Sequence, residues 1–207
     1  MKKYWPEIKP LLILFLVWRR GIFFVGYIAT LLLPFKRSFP YIDERLISSG
    51  LPEWLWSWGN FDGVHYLDIA KNGYHAAGLP SFFPLYPLLI KTLGSLIGNY
   101  LLAGLIISNI FTLLALILLY FLVRKYFDQK VAVWSGLFFL CFPTSYYFGA
   151  VYTEGLFIFL VISSFLFSGI LPVFLGLFAA LTRLVGVVLS LALTLEKKKM
   201  IYLSIAG

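Results

Sequence analysis

Apolar runs separated by short basic clusters make up most of this chain of 207 residues. Runs of roughly 17 to 25 apolar residues are long enough to cross the hydrocarbon layer of a membrane as helices. Helices are favoured there because lipid offers no hydrogen-bond partner to a backbone polar group. The pattern therefore predicts an all-α fold, a polytopic bundle of transmembrane helices that forms one integral membrane domain over residues 1–207.

Residues 21–35 are predicted to form most of the first crossing, with the preceding segment entering at the cytoplasmic face. Arg19 and Arg20 precede it, and we expect both side chains to snorkel to the cytoplasmic face, so that the chain emerges on the outer side. The segment 88–98 is apolar but short and carries Lys91, which favours a helix lying in the interface over a crossing. The later crossings, all within residues 101–195, are predicted at 101–123, 131–148, 155–167 and 171–195.

The distribution of basic residues favours this topology over one in which the segment 88–98 crosses the membrane. This topology leaves Arg124, Lys125 and Lys130 on the cytoplasmic side, as the positive-inside tendency requires. Its cost is that the three lysines at 197–199 end on the outer side.

Composition agrees with the hydrophobic pattern and excludes a soluble protein. Hydrophobic residues make up 61% and charged residues 13% of the chain, and the mean hydropathy is +0.91, values far from those of soluble domains. Most of the net charge of +8 comes from basic residues at the ends of apolar runs, which indicates topology and not a nucleic-acid partner. Cys141 is the only cysteine, which excludes a disulfide framework, and the sequence shows no metal-binding cluster.

The most polar part of the chain is the segment 36–87, which we interpret as an external catalytic loop. Residues 36–80 hold four basic and five acidic residues and both histidines, His65 and His75. A structureless loop of this length is uncommon, so we expect it to contain short interfacial helices. Three tryptophans favour this location at the membrane surface, although they could equally anchor a segment without function: Trp54, Trp56 and Trp58.

Within this loop, the spacing predicts a helix of about twelve residues that Asn60 caps and Gly73 ends. Asp62 then falls in the first turn and shares a face with His65, while Asp68 points elsewhere. The positive end of the helix would help to keep Asp62 ionised and able to accept a proton. The alternative is that Asp62 only starts the helix and His65 only makes an interfacial polar contact.

Two charged residues stand out in the apolar half of the chain. Glu154 follows a predicted crossing at the outer face, and Arg183 interrupts the last one. An ionisable group at such a depth needs a partner or a wet cavity. The planar guanidinium of Arg183 suits the oxygens of a lipid phosphate; the alternative is an internal ion pair with Glu154 that serves packing.

A series of motifs follows along the chain. The loop contains Phe-Asp-Gly-Val-His-Tyr-Leu at 61–67, then Ile-Ala at 69–70, Gly-Tyr at 73–74 and Phe-Phe-Pro-Leu-Tyr-Pro at 82–87. Later motifs are Ser-Asn at 108–109, Pro-Thr-Ser at 143–145, Tyr-Thr-Glu-Gly-Leu-Phe at 152–157 and Leu-Thr-Arg-Leu-Val-Gly at 181–186. Over roughly residues 20–190 the chain resembles the class V phosphatidylinositol-glycan mannosyltransferase family.

The resemblance implies a glycosyltransferase of the GT-C type, of which this chain would be the N-terminal part. The expected reaction transfers mannose from a polyprenyl-phosphate donor to a hydroxyl of a lipid or glycan acceptor, with inversion and without a cofactor or metal. Asp62 and His65 are the predicted catalytic residues, with Asp62 as the base. Donor phosphate or substrate binding is predicted for Arg183, Glu154, Tyr152 and His75.

Some features depart from the family pattern. Phe61 and Gly63 stand where the family commonly has tryptophan and alanine, and relatives are usually much longer. We therefore expect a missing C-terminal portion or a partner subunit. The competing hypothesis is a non-catalytic membrane subunit or a polyprenyl-phosphate-binding protein. Compactness favours a bacterial inner membrane; in a eukaryote the endoplasmic reticulum membrane is expected.

Overall fold

The computed structural model describes residues 4–36 and 41–197, which form α-helices and short 3₁₀ turns without a β-strand. This confirms the predicted all-α fold class. The α-helices of the described residues are α1 (Trp5–Leu32), α2 (Ile42–Arg45), α3 (Glu53–Trp56), α4 (Asp62–Asn72), α5 (Leu85–Ile97), α6 (Tyr100–Arg124), α7 (Gln129–Cys141), α8 (Glu154–Leu166), α9 (Leu171–Ala180) and α10 (Leu189–Lys197).

Helix α1 is continuous through both arginines and runs from Trp5 to Leu32, so it begins well before the crossing predicted at 21–35. Arg20 is exposed, but Arg19 is only 6% exposed and does not snorkel. Its Nη2 donates to the carbonyl oxygen of Gly149 at 2.7 Å. An internal partner thus takes the place of water, and the helix passes through the charge without a break.

Helices α1 and α6 are the two described helices that are long and apolar enough to cross a membrane. α5, α7 and α8 are apolar helices of 13 residues, and α9 has 10. The helices predicted at 101–123 and 155–167 are confirmed as α6 and α8. Their direction across the membrane, and the placement of α5 in the interface, stay predictions.

Helix α6 packs against α5, α7 and α8 and is the centre of the bundle. Small residues allow this close approach. A Cβ added at Gly104 would lie 2.8 Å from Cγ1 of Val151, and one added at Gly155 of α8 would collide with Oγ1 of Thr112. Asn99 caps α6, since its side chain accepts from the backbone N–H of Leu102 at 2.9 Å.

The loop at 36–87 contains short helices, as predicted. α2, α3 and α4 alternate with 3₁₀ turns at Ile47–Ser49, Ser57–Gly59 and Leu79–Ser81. The tryptophans pack against the rest of the protein: Trp56 is buried, and the rings of the half-buried Trp54 and Trp58 lie edge-on to Phe23 of α1, with centroids 6.1 and 5.3 Å from it. The loop therefore packs against the C-terminal half of α1 as part of the folded structure.

Helix α4 begins differently from the prediction. Asn60 does not cap it, because its Oδ1 accepts from the adjacent N–H of Phe61 at 2.9 Å, and Phe61 itself is the N-cap with φ of 56°. The helix has 11 residues and ends, as predicted, at Gly73, whose φ of 76° favours glycine. The left-handed backbone at Phe61 makes the chain turn sharply just before Asp62.

Two predicted crossings are interrupted. The segment 171–195 is not one helix, since α9 ends at Ala180, Arg183 is extended with φ of −152°, and a 3₁₀ turn at Leu184–Val188 precedes α10. Likewise α7 ends at Cys141, and a 3₁₀ turn follows at Ser145–Gly149. Both interruptions carry chemistry-bearing residues to one end of the bundle. The lysines at 198 and 199 lie outside the described residues.

Candidate active site

A cavity of about 370 Å³ lies where the start of α4, the Phe82–Phe83 segment, the start of α8 and the break after α9 meet. Four of the predicted site residues line it: Asp62, Tyr152, Glu154 and Arg183. These residues come from three motifs that are far apart in the sequence. The fold therefore brings the predicted carboxylates and the predicted phosphate-binding arginine to one place.

The position of Asp62 is set by the segment before it. The carbonyl oxygen of Trp58 accepts from the backbone N–H of Val151 at 2.9 Å, and the carbonyl oxygen of Asn60 accepts from the phenol of Tyr152 at 3.2 Å. The side chain of Asp62 is exposed to the cavity as the first residue of α4. The carboxylate thus lies at the positive end of the α4 dipole and is open to a ligand.

Arg183 and Glu154, which line the same cavity as Asp62, form an ion pair. Nη1 of Arg183 lies 2.6 Å from Oε1 of Glu154 and donates to Oγ1 of Thr153 at 3.2 Å. The other carboxylate oxygen of Glu154, Oε2, has no hydrogen-bond partner among the described residues. The alternative of an internal ion pair is thus realised, but the pair also lines the cavity.

Two tyrosines, Tyr66 and Tyr152, also line the cavity. Burial raises the pKa of Tyr66 to about 12, and burial together with the negative charge of Asp62 raises the pKa of Tyr152. Both phenols are therefore neutral hydrogen-bonding groups at ordinary pH. Sequence reasoning missed Tyr66, although its position four residues after Asp62 places both on one face of α4.

The structure places His65 and His75 away from the lining of this cavity. The ring of His65 packs on that of Phe82, with centroids 4.8 Å apart. Nε2 of His75 lies 2.8 Å from Oδ2 of Asp68. The catalytic role predicted for His65 and the binding role predicted for His75 stay predictions.

Asp68 is the centre of a separate polar cluster on the far face of α4. It is 1% exposed, and its Oδ1 accepts from Nε of Arg45 at 2.8 Å and from Nδ2 of Asn72 at 2.7 Å. Burial acts to raise the pKa of Asp68, but hydrogen bonds from Asn72, His75 and Arg45 outweigh it and lower the pKa below its ordinary value. This cluster fastens α4 to α2.

A second cavity, of about 480 Å³, adjoins the first. Its lining includes Trp58, Phe61, Tyr146 and residues near the C-terminal end of α1, and it shares Tyr152 with the cavity that contains Asp62. No group of three or more metal-binding side chains occurs in the part of the chain that the structure describes.

Comparison with known proteins gives the same assignment as the motifs. The family model described as mannosyltransferase (PIG-V) matches residues 8–201. A GPI mannosyltransferase 2 from Drosophila pseudoobscura is 28% identical over 134 residues, which is 58% of this chain and 28% of that protein. One from Schizosaccharomyces pombe is 29% identical over 133 residues, 62% of this chain and 28% of that protein. The chain thus matches less than a third of the length of these relatives. No solved structure matches it.

Proposed function

The chain belongs to the mannosyltransferase (PIG-V) family, and from this premise we propose that it transfers mannose from a polyprenyl-phosphate donor to a hydroxyl of a lipid or glycan acceptor. The observation that carries the proposal is the cavity of about 370 Å³ that Asp62, Glu154 and Arg183 share. It combines an exposed carboxylate with an arginine, the two groups that this reaction needs.

In the proposed reaction, Asp62 acts as the general base. Its carboxylate takes the proton of the acceptor hydroxyl as the oxygen attacks the anomeric carbon of mannose. The bond between that carbon and the phosphate oxygen breaks, and polyprenyl phosphate leaves with the bonding electrons. Attack from the side opposite the leaving group inverts the anomeric configuration.

Arg183 stabilises the charge that develops on the leaving phosphate. The guanidinium of Arg183 donates to Thr153 and Glu154 through Nη1, and we propose that Nε and Nη2 donate to the phosphate oxygens. A cationic group aimed at developing negative charge is an effective form of transition-state stabilisation. Oε2 of Glu154 is proposed to accept a hydrogen bond from a mannose hydroxyl.

The surroundings of the cavity suit a lipid-linked donor. Leu184 and Val185 line the cavity beside Arg183 and are 69% and 63% exposed. In a membrane, such apolar side chains would face the isoprenoid chain while the phosphate reaches the arginine. We propose the bacterial inner membrane as the location, with the reaction on its outer face; the alternative is the endoplasmic reticulum.

The proposal is tested by transfer of labelled mannose from polyprenyl-phosphate mannose into lipid or protein of membranes that contain the chain. We expect Asp62→Ala and Asp62→Asn to lower transfer by about 10²- to 10⁴-fold, the usual contribution of a general base. Asp43→Asn is the matched control, because Asp43 is an exposed carboxylate of the same loop and lies outside the lining of the cavity.

Equal expression and membrane insertion of all variants must be shown first. Equal transfer by the unmutated chain and by Asp62→Asn would contradict the proposal. Binding of polyprenyl-phosphate mannose without any transfer by the unmutated chain would instead support the hypothesis of a binding protein or partner subunit.

A further inference from the structure

Arg19 is a charged side chain buried within the first membrane helix. It is 6% exposed, its Nη2 donates to the carbonyl oxygen of Gly149 at 2.7 Å, and its guanidinium carbon lies 3.7 Å from the ring centroid of Phe23 and 4.7 Å from that of Trp58. Charged groups at such a depth are costly, and their presence points to a role beyond filling space.

The environment of Arg19 is poorly suited to stability alone. Its Nε and Nη1 are buried without a hydrogen-bond partner among the described residues, so one carbonyl and two ring faces compensate the charge. A hydrocarbon side chain of similar volume would often pack at such a site with equal or greater stability. Stability therefore does not explain the arginine.

The contacts of Arg19 join the two segments that carry the proposed site. Gly149 lies just before Tyr152 and Glu154, and Trp58 lies just before Asp62. The two segments are also bonded to each other, by the 2.9 Å hydrogen bond from the N–H of Val151 to the carbonyl oxygen of Trp58. Arg19 touches one residue on each side of that bond.

Gly149 provides the space that the guanidinium occupies. A Cβ added at this position would collide with Nη1 of Arg19. The same carbonyl oxygen accepts a second hydrogen bond, from Nδ2 of Asn109 at 3.3 Å. The segment is therefore held from α1 and from α6 at one peptide group.

We propose that Arg19 is a positioning residue that holds the Trp58–Asp62 segment against the Gly149–Glu154 segment and so sets the place of Asp62 relative to Glu154 and Arg183. This inference rests on the proposed function. Arg19 is not part of the cavity lining, so it acts through these segments and does not touch the substrate. A displacement of about 1 Å between reacting groups can lower a rate by roughly 10²-fold, which makes such positioning consequential.

The first test is hydrogen exchange on the purified chain in detergent micelles, comparing Arg19→Met with the unmutated protein. We expect faster exchange in residues 57–61 and 147–153, with the protection of α6 and α8 retained. Arg20→Met is the matched control, because Arg20 is the exposed neighbour on the same helix, and it should exchange like the unmutated protein. Hydrogen exchange does not depend on transfer activity. It therefore tests the positioning role of Arg19 even if the chain does not transfer mannose.

The second test is kinetic and uses polyprenyl-phosphate mannose as the varied donor, with an extract of host membranes as the acceptor. Arg19→Met is expected to lower kcat roughly 10- to 100-fold with KM for the donor nearly unchanged, and Arg19→Lys should recover part of kcat because it keeps the charge and one donor. Gly149→Ala should lower kcat by the same factor as Arg19→Met. The double variant should be only slightly slower than either single variant, since both substitutions remove the same contact between Arg19 and Gly149.

Unchanged exchange in both segments would overturn the proposal, as would a loss of kcat that follows the loss of thermal stability in every variant. A rise in KM for the donor with kcat unchanged would also overturn it, because it would make Arg19 a binding group. Should Arg19→Met fail to fold, Arg19→Lys decides by the same criteria, as it keeps the buried charge but lacks the planar group that stacks on Trp58.

Discussion

Replacing Arg183 with glutamine is expected to remove most of the transfer activity while leaving the fold almost as stable as before. The side chains of the Arg183–Glu154 pair are 40% and 25% exposed, so water screens their attraction. Ion pairs of this kind contribute about 0.2–1 kcal/mol to stability, and the exposure of Arg183 favours the lower part of that range. The loss of the 2.6 Å contact should therefore shift the unfolding temperature only slightly.

The effect on the reaction should be much larger. Removing one group that stabilises developing negative charge typically costs about 2.7–4 kcal/mol of activation free energy, or 10²- to 10³-fold in kcat. The assay is single-turnover transfer of labelled mannose by protein reconstituted in vesicles, with thermal unfolding measured on the same preparations. The kcat of Arg183→Lys should lie between that of the unmutated protein and that of Arg183→Gln. Lysine keeps the charge but cannot bind two phosphate oxygens with a planar group.

Glu154→Gln separates the two explanations of the pair. Glutamine keeps the shape of the side chain and removes its charge, so a packing role predicts that it behaves like Arg183→Gln. Our account predicts that Glu154→Gln lowers kcat less than Arg183→Gln does, since the arginine remains to bind the phosphate. Large and equal losses of unfolding temperature in both variants, with normal kcat in the folded fraction, would refute the assignment of Arg183 to the donor phosphate.

Other consequences follow from the packing around the site. Asp68→Asn should lower the free energy of unfolding by about 3 kcal/mol, because it leaves the largely buried Arg45 without its carboxylate; thermal unfolding measures this. Since the pKa of Asp68 lies below its ordinary value of 3.8 in the folded chain, the carboxylate stabilises fully above that value and its contribution disappears as the pH falls through the folded pKa. The unmutated protein should therefore lose unfolding temperature on acidification below about pH 4, and the curve of Asp68→Asn should be flatter there. Gly155→Leu should destabilise by about 1–3 kcal/mol, because α8 would have to move away from Thr112; an unchanged unfolding temperature would contradict this packing.

The local features of the loop at 36–87 could be predicted because they depend on residues close together in the sequence. Gly73 ends α4 as expected, and Asp62 faces the cavity from its first turn. The wrong prediction at Asn60 also concerns a local contact. An asparagine before a helix can accept from an N–H of the first helical turn or from that of the next residue, and here its Oδ1 accepts from the N–H of Phe61. Backbone conformation at Phe61, with φ of 56°, decides between them.

The features that sequence reasoning missed depend on distant contacts. The apolar segment around Arg183 shows no break in its hydrophobic pattern, yet the chain is extended there, with Arg183 bonded to Glu154. Arg19 was expected to snorkel because a long cationic side chain near a membrane face usually does. Its actual partner, the carbonyl of Gly149, is separated from it by most of the chain, and no local pattern identifies it.

The most direct test of the central claim is the rate of a single turnover of mannose transfer by the purified chain in vesicles, compared with that of Asp62→Asn. If Asp62 is the base in the cavity that it shares with Glu154 and Arg183, the unmutated chain transfers mannose and the variant is slower by about 10²- to 10⁴-fold. Equal rates for the two proteins would contradict the account.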